Sequence, residues 1–86
     1  MDEEVILNSF LKEIGQKIKN ERESRGLILE EMDAKCDIDP SDFSKIENGK
    51  QNITIKTLIR ISTALNINPK DLFDFKFDIK KYHIDD

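Results

Sequence analysis

The chain has 86 residues, of which 37% are hydrophobic and 37% are charged, with 3 Gly, 2 Pro and no Trp. This length and composition predict one compact helical domain and exclude a disordered or β-rich chain. A single cysteine, Cys36, excludes an intramolecular disulfide, and no apolar run reaches the roughly 20 residues of a membrane span, so we expect a cytoplasmic protein.

The charges are unevenly distributed along the chain. The net charge of -4 argues against nucleic acid as a partner, because binding to nucleic acid is driven by phosphate neutralisation. Residues 1–42 hold 12 acids and 6 bases, residues 43–70 hold 5 bases and 1 acid, and residues 71–86 hold 5 acids and 3 bases. The middle segment is therefore where a phosphate backbone would lie, although an unevenly charged, solvated surface explains the pattern equally well.

Apolar residues spaced three and four apart predict a first helix from about Glu4 to Arg25. The apolar positions are Ile6, Leu7, Phe10, Leu11, Ile14 and Ile18. Gly15 lies inside this helix at a cost of about 1 kcal/mol relative to Ala, which indicates a close contact with another helix. Gly26 is expected to end the helix.

A short second helix is predicted within residues 27–36, followed by a third helix whose two ends are both marked. Asp39 is a suitable N-cap, Pro40 suits the first helical position, and Gly49 suits the left-handed conformation that closes a helix. We therefore predict the third helix over residues 40–48.

The third helix has few apolar side chains. Ile38 and Phe43 have the spacing of a hydrophobic clamp around the N-cap, and only Phe43 and Ile46 are strongly apolar within the helix. One narrow stripe is therefore expected to be buried while the remaining side chains face outward. Two short helices joined by a turn, the second polar on its outer side, form the helix-turn-helix pattern.

Thr54 is the predicted cap of a fourth helix that ends near Asn66, and Asn68 with Pro69 repeats the start signal for a short fifth helix. The side chains predicted to face inward from these two helices are Ile55, Leu58, Ile61, Leu65, Leu72 and Phe73.

From Phe73 onward the hydrophobic pattern changes to a period of two, which is typical of a strand with one buried face. A lone strand must pair, so Phe75, Phe77 and Ile79 are predicted dimerisation residues in two tails joined across a two-fold axis. The alternative is a tail that packs its phenylalanines over its own domain. We divide the chain into a helix-turn-helix domain, residues 1–73 with its core in 14–73, and a tail, residues 74–86.

These features together resemble the Cro/C1-type (xenobiotic-response-element, XRE) family of helix-turn-helix regulators. The resemblance covers Ile14 to Phe73. Its landmarks are Ile14-Gly15, Ile18, Arg22, Gly26-Leu27, Glu30-Glu31-Met32, Ile38, the stretch from Ser44 to Lys50, Thr57-Leu58, Ala64-Leu65 and Pro69 to Phe73. The family resemblance implies an all-α, five-helix lambda-repressor-like DNA-binding domain whose third helix lies in the major groove.

The resemblance also implies roles for individual residues. Arg22 and Glu47 would form a structural ion pair between the first and third helices. The side chains that would face base edges are Pro40, Ser41, Asp42 and Lys45. The side chains that would lie near phosphates are Asn48, Lys50, Asn52 and Lys56.

The chain departs from the family pattern around the second and third helices. Ile28 and Leu29 stand where the family commonly has Ser or Thr followed by Gln, and Asp37 stands where Gly is usual. Asp37, Asp39 and Asp42 add carboxylates that repel phosphates, unless Asp42 accepts a hydrogen bond from cytosine N4 or Asp39 is occupied as the cap.

The leading hypothesis is a homodimeric, sequence-specific regulator that binds double-stranded DNA, most simply a repressor, as in the family's small restriction-modification controllers and phage-type repressors. The alternative is a helix-turn-helix used for protein contact, as in an antitoxin or adaptor, with weak or no DNA binding. We do not expect an enzyme, a cofactor, a metal or a small-molecule ligand, because His83 lies in the tail, Cys36 is a predicted core residue and no metal-ligand spacing occurs.

Overall fold

The structure, a computed structural model, describes residues 3–82, which form four α-helices followed by two short 3₁₀ helices. These are α1 (Glu3–Ser24), α2 (Leu29–Cys36), α3 (Pro40–Glu47), α4 (Ile55–Leu65) and the 3₁₀ helices Pro69–Phe73 and Ile79–Tyr82. The all-helical class is confirmed, but the prediction of five α-helices is wrong. The fifth segment closes after one turn because the Asp74 N–H bonds to the Asp71 carbonyl three residues back, at 3.3 Å.

The predicted helix caps are present. The side chains of Asp39, Thr54 and Asn68 accept backbone N–H groups of the helical turns that follow them, at 2.8, 3.1 and 3.1 Å. Each interaction satisfies a donor that the helix itself leaves unpaired. The first turns of α3, α4 and the first 3₁₀ helix are therefore specified locally by the sequence.

One hydrophobic core lies between the helices. Its fully buried side chains include Ile18, Met32, Phe43, Ile46, Ile61, Leu65 and Leu72. Cys36 is buried in this core, as predicted. Two inward predictions are wrong: Ile55 is 69% exposed and Phe73 is 40% exposed. Each lies at an end of its helical segment, on the rim of an apolar groove beside α1, where packing is incomplete.

Helices α1 and α3 touch through two glycines. A β-carbon at Gly15 would lie 2.5 Å from the carbonyl oxygens of both Ile46 and Glu47, and one at Gly49 would lie 2.7 Å from backbone atoms of Lys12. Gly49 also adopts a φ of +69°, in the left-handed region. The close helix contact expected at Gly15 is confirmed, and it sets the position of α3 on the domain.

The tail packs against its own chain. The ring of Phe10 in α1 lies 6.0, 5.2 and 5.0 Å from the rings of Phe73, Phe75 and Phe77, and no strand occurs in the described tail. The strand prediction is wrong. In the single chain the tail instead packs its phenylalanines over its own domain, which was the alternative. Alternate side chains of an irregular extended segment reach one apolar surface as readily as those of a strand. Ile79 remains 46% exposed.

The last part of the predicted tail, residues 83–86 with His83, lies outside the described residues. Among residues 3–82, no helix has the length and apolar character needed to cross a membrane.

Candidate nucleic-acid interface

Helix α3 has one buried and one exposed face. Phe43 and Ile46 are almost fully buried, and Ser41, Lys45 and Asn48 are exposed. The exposed residues recur at spacings of four and three, so they form one row along the outer side of the helix and its C-cap. The helix is held by its apolar stripe, and its polar row faces solvent.

The predicted ion pair between Arg22 and Glu47 is present and fixes the buried side of α3. Arg22 Nε donates to Glu47 Oε2 at 2.6 Å, and Arg22 Nη2 donates to Glu47 Oε1 at 3.1 Å. Arg22 Nη1 also donates to the Leu27 carbonyl at 2.6 Å. The hydrogen bond to Glu47 raises the pKa of Arg22. One guanidinium therefore ties α1, the turn before α2 and α3 together.

The carboxylate of Asp39 is occupied by the start of α3. It accepts from the Ser41 backbone N–H at 2.8 Å and from the Ser41 hydroxyl at 2.7 Å. The Ser41 hydroxyl, followed by its backbone N–H, lowers the pKa of Asp39. Because this pKa lies below the unfolded value of about 3.9, the cap is fully formed at neutral pH and is lost only as the pH falls through the folded value.

Asp42 and Lys45 form an open charge pair on the exposed side of α3. The Lys45 ammonium lies 4.0 Å from an Asp42 carboxylate oxygen, and the side chains of Lys45 and Asp42 are 60% and 51% exposed, respectively. Such a solvated pair contributes little to stability, about 0.3–0.5 kcal/mol at helical spacing. Either side chain can therefore leave this ion pair and contact a ligand instead.

The predicted phosphate residues follow directly after α3. The Asn48 side-chain amide donates to the Ser44 carbonyl at 2.9 Å, and the Lys50 N–H bonds to the Lys45 carbonyl at 2.9 Å. These bonds hold the start of the loop against the end of the helix. The remaining members of the set, Asn52 and Lys56, are exposed in the loop and in the first turn of α4.

The start of α2 is capped from within the chain. The Glu31 carboxylate accepts the backbone N–H of Ile28 at 2.9 Å, which forms half of a capping box, and Ile28 itself is 56% exposed. This helix end therefore presents an apolar side chain where the family resemblance implies a polar one.

Asp37 occupies the backbone conformation for which the family uses Gly. Its φ is 57° and its ψ is 45°, in the left-handed region, and its N–H bonds to the Asp33 carbonyl at 2.9 Å. The residue borders a groove between α2 and α4, together with Ile59 and Arg60. Asp37 therefore lies beside α4.

The structure also shows an apolar surface that the sequence interpretation missed. Ile55 and Ile59 are four residues apart on α4 and are 69% and 51% exposed. A signal was present, because α4 carries more aliphatic residues than one buried stripe requires. By contrast, two predicted dimerisation residues, Phe75 and Phe77, are partly buried against Phe10 of their own chain.

The fold and the two-faced α3 define a helix-turn-helix protein, and comparison with known proteins agrees. The helix-turn-helix family model matches residues 18–72. The chain belongs to the family of Cro/C1-type helix-turn-helix regulators.

Three relatives are control proteins. Control protein C.BamHI from Bacillus amyloliquefaciens is 39% identical over 71 residues, which cover 81% of this chain and 88% of that protein. Control protein C.MunI from Mycoplasma sp is 37% identical over 76 residues, which cover 87% and 99% of the two chains. The crystal structure of the restriction-modification controller protein C.AhdI from Aeromonas hydrophila matches with a TM-score of 0.71 and 30% identity, over 73% of this chain and 96% of that one.

Proposed function

We propose that this protein is a sequence-specific DNA-binding regulator that controls transcription within a restriction-modification system, most simply by repression. The names of its relatives, control proteins and a restriction-modification controller, support the biological role. The physical support is the polar outer row of α3, which leaves one side of a well-anchored helix available for the major groove.

The outer row of α3 offers distinct contacts to base edges. Lys45 donates to guanine O6 or N7, which is a common specific contact. The Ser41 hydroxyl proton is directed to Asp39, so its oxygen is left as an acceptor. Pro40 offers only an apolar contact, which suits a thymine methyl group.

Phosphate contacts would come from the segment after α3. Residues 43–70 contain a single acid, Glu47, which is already paired with Arg22. The five bases of this segment are Lys45, Lys50, Lys56, Arg60 and Lys70. This basic segment compensates for a net charge of -4 over the whole chain. Contacts to the DNA phosphates would position the protein and make its affinity depend on salt. The residues proposed for these contacts are Asn48, Lys50, Asn52 and Lys56.

We propose a homodimer as the active form. Ile55 and Ile59 expose a continuous apolar strip on α4, next to a groove lined by residues of α1 and by Phe73. A two-fold interface places the same strip of two copies face to face and presents two α3 helices to successive major grooves. The tail, with Phe75, Phe77 and Ile79, is the competing interface.

The proposal is tested by selecting bound sequences from a mixed DNA pool at two salt concentrations. We expect enrichment of a two-fold symmetric site by the wild type, and relaxed base preference at one position of each half-site for Lys45→Ala. Lys56→Ala serves as the matched control, because loss of a phosphate contact weakens binding to all sequences alike. Failure to enrich any sequence at low salt would refute the proposal.

Exposed Ile28 favours a second candidate function, which is protein contact through the start of α2. An apolar residue that is 56% exposed at a helix start suits a protein surface better than a phosphate. Salt separates the two functions, because phosphate contacts give an affinity that falls steeply with salt. A partner protein bound equally well at low and high salt would support the second candidate.

A further inference from the structure

We propose that Asp42 and Lys45 read one C·G base pair together, with Asp42 accepting from the cytosine amino group and Lys45 donating to the guanine of the opposite strand. The inference rests on the proposed DNA-binding function and deepens it by naming a base pair that each half-site must contain.

Asp42 is the carboxylate at the start of α3 that remains available. Asp39 is occupied by the Ser41 N–H and hydroxyl, and Glu31 by the Ile28 N–H. Within residues 3–82, the Asp42 carboxylate accepts no hydrogen bond, and its one ion-pair contact is the 4.0 Å approach of Lys45. A charged, half-exposed acceptor on the outer side of a DNA-reading helix must either meet a donor or repel the DNA.

The chemistry of the pair matches one base pair best. A carboxylate only accepts hydrogen bonds and an ammonium only donates them. In the major groove, guanine presents two acceptors, O6 and N7, while cytosine presents the N4 amino donor. Adenine also offers an amino group, but its N7 acceptor lies beside that group and repels a carboxylate. The C·G pair is therefore the one that offers Asp42 a donor on a base with no major-groove acceptor of its own and offers Lys45 two acceptors.

The geometry of α3 places the two groups at the separation that this reading needs. Asp42 and Lys45 are three residues apart and lie on one side of the helix, and their charged atoms are 4.0 Å apart. Cytosine N4 and guanine O6 of one base pair are hydrogen-bonded to each other, at about 2.9 Å. One oxygen and one nitrogen 4.0 Å apart therefore reach neighbouring atoms of the same base pair with small side-chain rotations. Each charge keeps its opposite partner nearby when the groove excludes water.

This arrangement makes Asp42 a residue that rejects wrong sequences as well as one that accepts the right one. Opposite guanine or thymine, its carboxylate faces O6, N7 or O4 acceptors. Against non-specific DNA, its negative charge lies near phosphates and receives no hydrogen bond from a base. Removing the charge should therefore strengthen binding to unrelated DNA while weakening binding to the correct site.

The test compares Asp42→Asn with Asp39→Asn. Both variants remove one negative charge at the start of α3, and Asn is as good an N-cap as Asp, so the Asp39 variant retains the helix start. Affinities are measured for the duplex that the wild type selects and for the same duplex with the C·G pair changed to T·A. We expect wild type and Asp39→Asn to prefer C·G by about tenfold or more, and Asp42→Asn to retain only the weaker preference that Lys45 gives for guanine.

A modified base tests the predicted contact at the level of one atom. N4-methylcytosine replaces the amino hydrogen in the major groove with a methyl group, so the wild type should lose about tenfold in affinity for this duplex. Asp42→Ala, which lacks the carboxylate and leaves room for the methyl group, should bind the modified and unmodified duplexes equally.

The possible outcomes separate this inference from the proposed function. If Asp42→Asn keeps the full C·G preference of the wild type, the inference is overturned and DNA binding stands. Equal changes in affinity for Asp42→Asn and Asp39→Asn on all duplexes would show that Asp42 only repels phosphates. If the wild type selects no sequence at all, the proposed function and this inference both fail.

Discussion

At the scale of single residues, the ion pair between Arg22 and Glu47 decides where α3 sits. Both side chains are buried, and the guanidinium makes two bonds to the carboxylate and a third to the Leu27 carbonyl. A buried pair of this kind is strong evidence for a fixed register between elements and weaker evidence for net stability, because desolvation opposes the attraction.

The costs of losing the two partners of this pair should not be additive. We expect Arg22→Met to lower the free energy of unfolding by about 3 kcal/mol, because it leaves the Glu47 carboxylate buried and unpaired. The double variant with Glu47→Leu should lose clearly less than the sum of the two single variants. Urea unfolding followed by circular dichroism measures each value.

An ion pair at the end of α1 provides the control for this double-mutant cycle. Arg25 forms an exposed pair with Glu21 at 2.6 Å, and Arg25→Met should cost at most about 1 kcal/mol. Strict additivity of the Arg22 and Glu47 variants would contradict the account.

The backbone of Asp37 is in the left-handed conformation, so we expect replacement by glycine to stabilise the protein. Left-handed conformation costs a non-glycine residue about 1 kcal/mol, so Asp37→Gly should raise the free energy of unfolding by about 0.5–1 kcal/mol. Asp37→Asn is the control, because Asn tolerates the same conformation and removes only the charge. Equal stabilities of the two variants in urea would show that charge, and not backbone strain, sets the effect.

At the scale of elements, sequence signals were reliable where they are local. The caps at Asp39, Thr54 and Asn68 depend only on a side chain and the backbone N–H groups two or three residues ahead, and all three are present. The same holds for Gly49, whose positive φ ends the α3 region. Local physical chemistry suffices to predict such features.

Features that depend on distant neighbours were predicted less well. Ile55 lies on the same helical stripe as buried Leu58, yet it is 69% exposed, because it lies in the first turn of α4 on the rim of the apolar groove beside α1. The alternation of Phe73, Phe75 and Phe77 predicted a strand, whereas the rings gather around Phe10. Periodicity gives the side that a residue faces and does not specify what lies there.

The contact between α1 and α3 yields a prediction at this scale. Gly15→Ala gains about 1 kcal/mol of helix propensity, but its β-carbon would lie 2.5 Å from two backbone carbonyl oxygens of α3, which cannot rotate away. Since overpacking costs about 1–3 kcal/mol, we expect a net loss of stability and a displaced α3. Unfolding in urea measures the loss.

Gln16→Ala in the same helix is the matched control, because Gln16 is exposed and its replacement should leave stability within about 0.5 kcal/mol. A Gly15→Ala variant that is more stable than the wild type would mean that the helices separate without cost.

At the scale of the whole molecule, the proposed homodimer can form through either of two surfaces, the strip on α4 or the tail. If the exposed strip of Ile55 and Ile59 is the interface, Ile55→Glu or Ile59→Glu places a charge in it. We expect either variant to raise the dimer dissociation constant by about tenfold or more, as measured by sedimentation equilibrium. Ile79→Glu is the matched control on the tail and should leave the constant unchanged. A dimer lost only in Ile79→Glu would place the interface on the tail, as the sequence pattern alone predicted.

The measurement that tests the central claim most directly is the ratio of affinities for the selected site and for a scrambled duplex of the same composition, at one physiological salt concentration. Reading of bases by α3 predicts a ratio of about 1,000 or more for the wild type. In Lys45→Ala the ratio should fall by about tenfold or more, while binding to the scrambled duplex changes little. Equal affinities for the two duplexes in the wild type would contradict the claim that α3 reads DNA sequence.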